Sequence, residues 1–317
     1  MAVVTAGSIA FDHIMVFRDY FANHILPDKV HVLNVSFLVD GLERRRGGTG
    51  ANIAYNLALL GERPVLLGTA GHDFSEYREW LERHGVDTSH VRVLDEYTAA
   101  AFIITDLADN QITGFYPGAM GRAAVLSLRD VAAPIDYVVI SPNAPDAMVK
   151  YAQEARELGV RHVFDPGQTI PAFSAQEILD AAAGAAMVVG NDYEFELIRA
   201  KTGKGPEDLL ELASTVVVTR GEHGSAVLTR EGTVEVPVAP PAAVVDPTGA
   251  GDAYRAGLLA GLLRGLDLPR AARMGALAAA YAVERHGTQE HHYTFEEFEA
   301  RYRRAFGEPL PAAARPQ

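Results

Sequence analysis

The stretch Val244-Val245-Asp246-Pro247-Thr248-Gly249-Ala250-Gly251-Asp252-Ala253-Tyr254 constrains the fold more than any other part of the chain. The two valines read as the end of a strand, and Pro247, which has no N–H to give, stops the ladder. Gly249 and Gly251 permit a tight turn in which backbone N–H groups converge on one point. From Ala253 good helix formers follow, with Leu258, Leu259, Leu262 and Leu263 at helical spacing. A glycine turn that opens onto a helix N-terminus is an anion site, because the first N–H groups lack helical partners and the helix dipole is positive there. Asp252 sits beside that turn, where a carboxylate repels phosphate unless it has a task. One task is to accept the proton of a substrate hydroxyl while the N–H groups hold the charge of a phosphoryl group in transfer. The other reading is an aspartate that caps the helix.

Strands and helices alternate along most of the chain, which predicts an α/β fold with a mostly parallel sheet. Ala2–Thr5, Val65–Gly68, Tyr137–Ile140, Val163-Phe164, Ala186–Val189 and Val216–Thr219 read as strands, and a β-rich piece spans Ser225–Val245. Helices are predicted after Gly47-Gly48 as far as Leu60, and over Phe74–His84, Asp146–Leu158 and Leu268–Arg285. Two stretches break the alternation. Residues 13–46 contain the strand-like run His31–Val39, and residues 97–117 read as a hairpin of Thr98–Asp106 and Gln111–Tyr116 about Ala108-Asp109-Asn110. They suggest a small β-sheet inserted twice into the main domain. The expected division is a core of 1–12, 47–96 and 118–308, a lid of 13–46 and 97–117, and a loose Pro/Ala-rich tail over 309–317.

Ligands of open parallel sheets gather beyond the carboxyl ends of the strands. The polar motifs fall at such ends: Asp12, Asp165 with Gln168, Asn191 with Glu194, and Asp246 with Asp252. Asn191 and Glu194, three apart, share a helix face; they suit a hydrated magnesium ion or a helix-capping box. Gly47-Gly48 with Asn52 suits either a close approach to substrate hydroxyls or a packing turn. His286, His291 and His292 lack a known zinc spacing and read as a solvated cluster. Arg44, Arg45 and Arg46 suit phosphate or a solvated strand edge.

Composition excludes several classes. The chain carries 28 Lys and Arg against 41 Asp and Glu, a formal net charge of −13, and so is a poor nucleic-acid binder. With no cysteine among 317 residues, disulfides, thiolate catalysis and thiolate-bound metals are ruled out. The first residues lack the pattern of a signal peptide, and no apolar run approaches the roughly 20 residues of a membrane span. The expectation is a cytoplasmic protein without a membrane partner. Neither a P-loop nor a dinucleotide fingerprint is present.

Asp246-Pro247-Thr248-Gly249-Ala250-Gly251-Asp252 resembles the C-terminal motif of the ribokinase-like (PfkB) carbohydrate and nucleoside kinases. Gly47-Gly48 with Asn52 resembles their N-terminal motif, and Asn191-Asp192-Tyr193-Glu194 their Asn-x-x-Glu motif. Further stretches, among them Gly7-Ser8-Ile9-Ala10, Ser36-Phe37-Leu38-Val39-Asp40, Phe115-Tyr116-Pro117-Gly118 and Gly287-Thr288-Gln289-Glu290, resemble bacterial, mycobacterial-type adenosine kinases.

The resemblance implies a three-layer α/β/α domain with a β-sheet lid, and phosphoryl transfer from ATP to the 5′-hydroxyl of adenosine. It makes Asp252 the base and the N–H groups of Gly249, Ala250 and Gly251 the anion hole. Asp12, Gly48 and Asn52 would hold the ribose. Ser8, Ser36 and Gln168 would face the purine, with Phe102 and Tyr116 as apolar walls. Asn191, Thr219, Gly221 and Gly224 would bind ATP. Glu194 would hold Mg2+ through water, and Asp246 a monovalent cation such as K+. Where that group has a second glutamine after the residue matching Gln168, this chain has Thr169. The aromatic residues Phe37, Phe102, Phe115 and Tyr116 favour a flat base over a small sugar; a sugar kinase and a silent nucleoside-binding protein are the competing readings. Lid-edge strands offer a route to a homodimer.

Overall fold

The structure is a computed structural model that describes residues 2–32 and 34–311. Its first strands are β1 (Ala2–Ala6), β2 (Ala10–Val16), β3 (Leu42–Gly47), β4 (Val65–Ala70), β5 (Val91–Val93), β6 (Ala99–Thr105) and β7 (Gln111–Tyr116). There follow β8 (Ile135–Ile140), β9 (Arg161–Phe164), β10 (Met187–Asn191), β11 (Val216–Thr219), β12 (Ser225–Thr229) and β13 (Gly232–Val236). The helices are α1 (Thr49–Leu59), α2 (Ser75–Arg83), α3 (Pro145–Leu158), α4 (Ala175–Ala182) and α5 (Asp192–Thr202). The one-turn α6 (Pro206–Leu209) precedes α7 (Ala250–Leu263), α8 (Leu268–Ala282) and α9 (Phe295–Phe306).

Among the described residues the larger sheet has nine strands in the order β13-β12-β11-β10-β9-β8-β1-β4-β5. The pairings from β11 through β5 are parallel, and β12 and β13 close one edge antiparallel. Neighbouring residues of each inner strand enter opposite cores, as a period of two requires. Val3, Val139, Val189 and Val217 join the core beneath α1, α7, α8 and α9. Val4, Val138, Val188 and Val216 join the one beneath α3, α4 and α5. Helices therefore cover both faces, which is why these strands read as continuous apolar runs. No helix among the described residues is long and apolar enough to cross a membrane.

The smaller sheet has the order β3-β2-β6-β7. It begins at Ala10 and takes in Gly47, so Asp12 lies on a lid strand rather than at the edge of the core. Its hairpin turns at Asp109, which has a φ of 58°, a conformation that Asp tolerates.

Several expectations are corrected. His31–Val39 is not a strand: Pro27–Val32 is a 3-10 helix, and 34–39 takes no regular element; Leu33 lies outside the described residues. Phe37 instead packs on Phe17 and Phe21, with ring centroids 4.9 and 5.0 Å apart. Val244 and Val245 do not end a strand either. The N–H groups of Val245 and Asp246 donate to the Val283 carbonyl just past α8 (2.7 and 3.1 Å), and that contact sets the loop. The helix after it starts at Ala250, three residues early, which places Asp252 inside its first turn. Of the expected tail, Leu310 is buried in the main core, and 312–317 lie outside the described residues.

Candidate active site

The loops that leave β1, β8, β9, β10 and β11 open at one edge of the large sheet, and the lid sheet stands over them. Between lies a cleft of about 1530 Å³, more than one small ligand fills. It is lined by Ser8, Asp12, Gly48 and Asn52, by Gln168, Asn191, Glu194, Thr219, Gly221 and Gly224, and by Gly249 through Asp252. Residues drawn from six widely separated stretches of the sequence thus meet in one place.

Asp252 is the third residue of α7 and is 9% exposed. It does not cap the helix. The N-cap is Gly249, whose φ of 80° suits glycine, and the Asp252 Oδ2 accepts a hydrogen bond from Nδ2 of Asn52 at 2.8 Å. The N–H groups of the N-cap and first turn, Gly249 through Asp252, have no helical acceptor. The N–H of Ala250 donates to the Pro247 carbonyl at 3.2 Å. Burial raises the Asp252 pKa to about 6, against the pull of Arg255 and Asn52. The helix N-terminus does not hold it at the ordinary value, because desolvation outweighs the dipole here.

Arg255 stands one turn further along α7 and is as buried as Asp252. Its guanidinium grips Asp165 at the end of β9 with Nε–Oδ2 2.5 Å and Nη2–Oδ1 2.7 Å, and lies 3.8 Å from Oε2 of Glu194. Burial pushes Asp165 up to about 7, while the surrounding carboxylates hold Arg255 above its usual value although burial opposes this. The close ion pair, with one charge-assisted hydrogen bond from Nη2 to Oδ1, favours the charged form of both groups. Asp165 was visible in the sequence as a strand-end carboxylate; Arg255 was missed, although its position one helical turn from Asp252 was the available signal.

On the acceptor side, Asp12 faces the cleft from β2, level with Arg45 on β3 and Ala101 on β6. Burial and the charge of Asp246 raise its pKa to about 6 against Arg45. Gly48 adopts φ 91° where the chain turns from β3 into α1, and a Cβ there would lie 2.6 Å from both the Ala10 nitrogen and the Ser8 oxygen. That close approach, and not general flexibility, requires glycine. Since Gly48 has no side chain to cap α1, Ser8 substitutes: its Oγ accepts the Thr49 N–H at 2.9 Å. Gln168 lines the cleft and is exposed.

Three expected acceptor residues lie elsewhere. Ser36 is exposed on the irregular segment and does not line the cleft. Phe102 and Tyr116 fall on the far face of the lid, because Ala101 and Phe115, each one residue away and directly paired, take the cleft face. Phe102 stacks on His13 at 4.8 Å. The aromatic wall is Phe115.

On the opposite side, Asn191 and Glu194 form a capping box: Asn191 Oδ1 accepts the Glu194 N–H and Glu194 Oε2 accepts the Asn191 N–H, both at 2.7 Å. The box holds Glu194 at the cleft with one carboxylate oxygen outside it. Both oxygens of Asp246 take N–H donors, from Thr248 and from Gly287, each at 2.9 Å. This clamps two loops together. The histidines are not a solvated cluster, since His291 is buried with Nε2 2.7 Å from Asn56 Oδ1. Among the described residues no three metal-binding side chains gather. Arg44 pairs with Asp73 over the Phe11 ring, Arg46 with Glu290 over Trp80, and Arg45 with Glu43.

Residues 9–294 match the model of the pfkB family carbohydrate kinases. A nucleoside kinase of Methanothermobacter thermautotrophicus is 34% identical over 297 residues, covering 90% of this chain and 91% of the relative. The nucleoside kinase of Burkholderia thailandensis, solved in complex with inosine, superposes with a TM-score of 0.88 at 37% identity, over 97% of this chain and 99% of that one. The same enzyme solved with ADP and inosine gives a TM-score of 0.86 at 39% identity, covering 97% of each chain. With the motifs assembled at the sheet edge under a β-lid, these similarities place the chain in the pfkB family of kinases, and it is a phosphotransferase.

Proposed function

We propose that the protein transfers the γ-phosphoryl group of ATP to the 5′-hydroxyl of a purine nucleoside, with adenosine as the acceptor that its motifs resemble most. The observation that carries this reading is the Asp252 carboxylate at the first turn of α7, inside a cleft large enough for two substrates. Asp252 accepts the hydroxyl proton as the oxygen attacks phosphorus and the bond from the γ-phosphorus to its bridging oxygen breaks, with ADP leaving. A weak base suffices because the transition state is loose and asks little of the nucleophile. The N–H groups at the start of α7 face the charge that builds on the phosphoryl oxygens.

Asp12 accepts from the ribose hydroxyls, as a carboxylate beside a diol can do twice. Phe115 lies against the base. The loops at Asn191 and Thr219–Gly224 hold the nucleotide. The donor set on that side fits magnesium: a single anchored carboxylate, Glu194, with room for water and phosphate oxygens, is what this ion takes. When bound, magnesium would neutralise charge on the β- and γ-phosphates.

A phosphorylated sugar fits less well. Arg255 is the one cationic side chain among the described residues lining the cleft, and Asp165 already occupies it.

An ADP-release assay over adenosine, inosine, cytidine, ribose and fructose 6-phosphate tests the reading, with the purine nucleosides expected to lead. A faster rate with ribose would overturn it. Asp252→Asn is expected to abolish turnover while nucleoside affinity stays within about tenfold, because most binding contacts lie elsewhere.

A further inference from the structure

The side chain that touches Asp252 is itself locked from behind. Asn52 Oδ1 accepts from the Thr288 hydroxyl at 2.8 Å and from Gln289 Nε2 at 2.9 Å. An amide oxygen offers two lone pairs, and both are taken. Turning the amide over would bring its NH2 group against two donors. Gln289 Nε2 also meets the Tyr77 hydroxyl at 2.5 Å, which donates in turn to the Gly47 carbonyl at 2.9 Å. The single Thr288 proton has a second acceptor, the Arg46 carbonyl, at 3.0 Å. Asn52, Thr288, Gln289 and Tyr77 are all buried, Asn52 and Thr288 at the wall of the cleft.

We propose that Thr288 and Gln289 are positioning residues of the phosphoryl transfer, acting through Asn52: by fixing the orientation of its amide they keep an N–H on Oδ2 of Asp252 and leave Oδ1 to the incoming hydroxyl. A hydrogen bond donated to a carboxylate favours its charged form. If the lock is lost the Asn52 amide turns freely, and Asp252 holds its proton to higher pH. Four other titratable groups act on Asp252 or feel its charge: Arg255 from its own helix, Glu194 from α5, Asp165 beyond Arg255, and Tyr77 across Gln289. Thr288 and Gln289 touch none of them except Tyr77, whose ionisation is pushed far above the range of the assay by burial.

The test is the pH profile of kcat with a purine nucleoside, and it rests on Asp252 being the base. The wild type is expected to lose activity as pH falls through about 6. In the Thr288→Val, Gln289→Leu double variant that limb should move up by about one unit, so that kcat at pH 6 falls roughly tenfold relative to its value at pH 8.5. KM for ATP should stay within about twofold, since the lock lies away from the nucleotide loops. Thr288→Ser alone, which keeps the hydroxyl, should keep the wild-type limb. In an Asn52→Ala background the double substitution should shift it no further, because the effect travels through one side chain. Thr288→Val alone conserves volume and serves as the second measurement, with a shift in the same direction.

A uniform loss of rate with the limb unmoved overturns the positioning role, and so does an additional shift in the Asn52→Ala background. Full turnover by Asp252→Asn would instead overturn the function beneath it.

Discussion

At the scale of the residue, Asp252 shows what the site costs the fold. Its pKa in the folded chain is about 6, above the 3.8 of an exposed aspartate, because burial disfavours the charge. Folding therefore takes up a proton between those values. The stability this gives is complete below about pH 4 and lost as pH rises through about 6. Above that, a shift of this size corresponds to about 2–3 kcal/mol held against the charged carboxylate. Asp252→Asn keeps an acceptor for the Asn52 N–H, so the variant is expected to melt roughly 2–4 °C higher than the wild type at pH 8. The difference should shrink on acidification and close near pH 4; an equal or lower melting temperature at pH 8 would show that the Arg255 attraction outweighs burial. Asp252, Asn52 and Gly48 were legible in the sequence because glycines and strand ends mark them. Thr288 and Gln289 were visible only as part of a resemblance, since their contact with Asn52 spans more than 230 residues and no local pattern encodes it.

At the scale of the element, the lid hairpin separates what periodicity tells from what it does not. Two strand-like runs about Asp109 were readable, and β6 and β7 form where expected. Which face looks inward was not, because a strand that is exposed along its length carries no apolar alternation to mark the inner side. Register decides it: Ala101 opposes Phe115 toward the cleft, and Phe102 opposes Gly114 on the outside. Phe115→Ala is thus expected to raise KM for the nucleoside about tenfold, the worth of a lost aromatic contact of roughly 1.4 kcal/mol. Phe102→Ala, the same change on the outer face, should leave KM within about twofold. The reverse order in steady-state kinetics would mean that the sheet turns its other face to the substrate. Other elements were legible yet unread. Ser174 with Glu177 and Thr294 with Glu297 are capping boxes at the starts of α4 and α9, and their Ser/Thr-x-x-Glu spacing stands in the sequence. Val244-Val245 misled for the opposite reason, since β-branched residues favour a strand only where a neighbouring edge is free to pair.

At the scale of the whole molecule, the three-layer core was readable from strand–helix alternation, and the order of its strands follows from crossovers that keep consecutive units adjacent. What alternation could not supply is how the lid stands to the core, which is fixed by a few long-range ties: Arg46 to Glu290, Arg44 to Asp73, and the Thr288 hydroxyl to the Arg46 carbonyl. These ties gather at β3 and leave β7 as an outer strand whose every residue is exposed. Such a sheet is anchored on one side and free on the other, the mechanical arrangement of a cover that closes over substrate and excludes water from the phosphoryl group. A purine nucleoside in the cleft would cover the Phe115 face, so its addition is expected to slow amide hydrogen exchange over residues 111–116 several-fold, with little change in β8 or β11, whose amides are already buried in the core sheet. An edge strand can also be protected by pairing with a second copy of the chain. The two causes separate by dilution: protection from closure depends on nucleoside and not on protein concentration, whereas protection from pairing fades as the protein is diluted. No change over 111–116 at saturating nucleoside would mean that the lid does not close on the acceptor, and would place the burden of excluding water on the core loops alone.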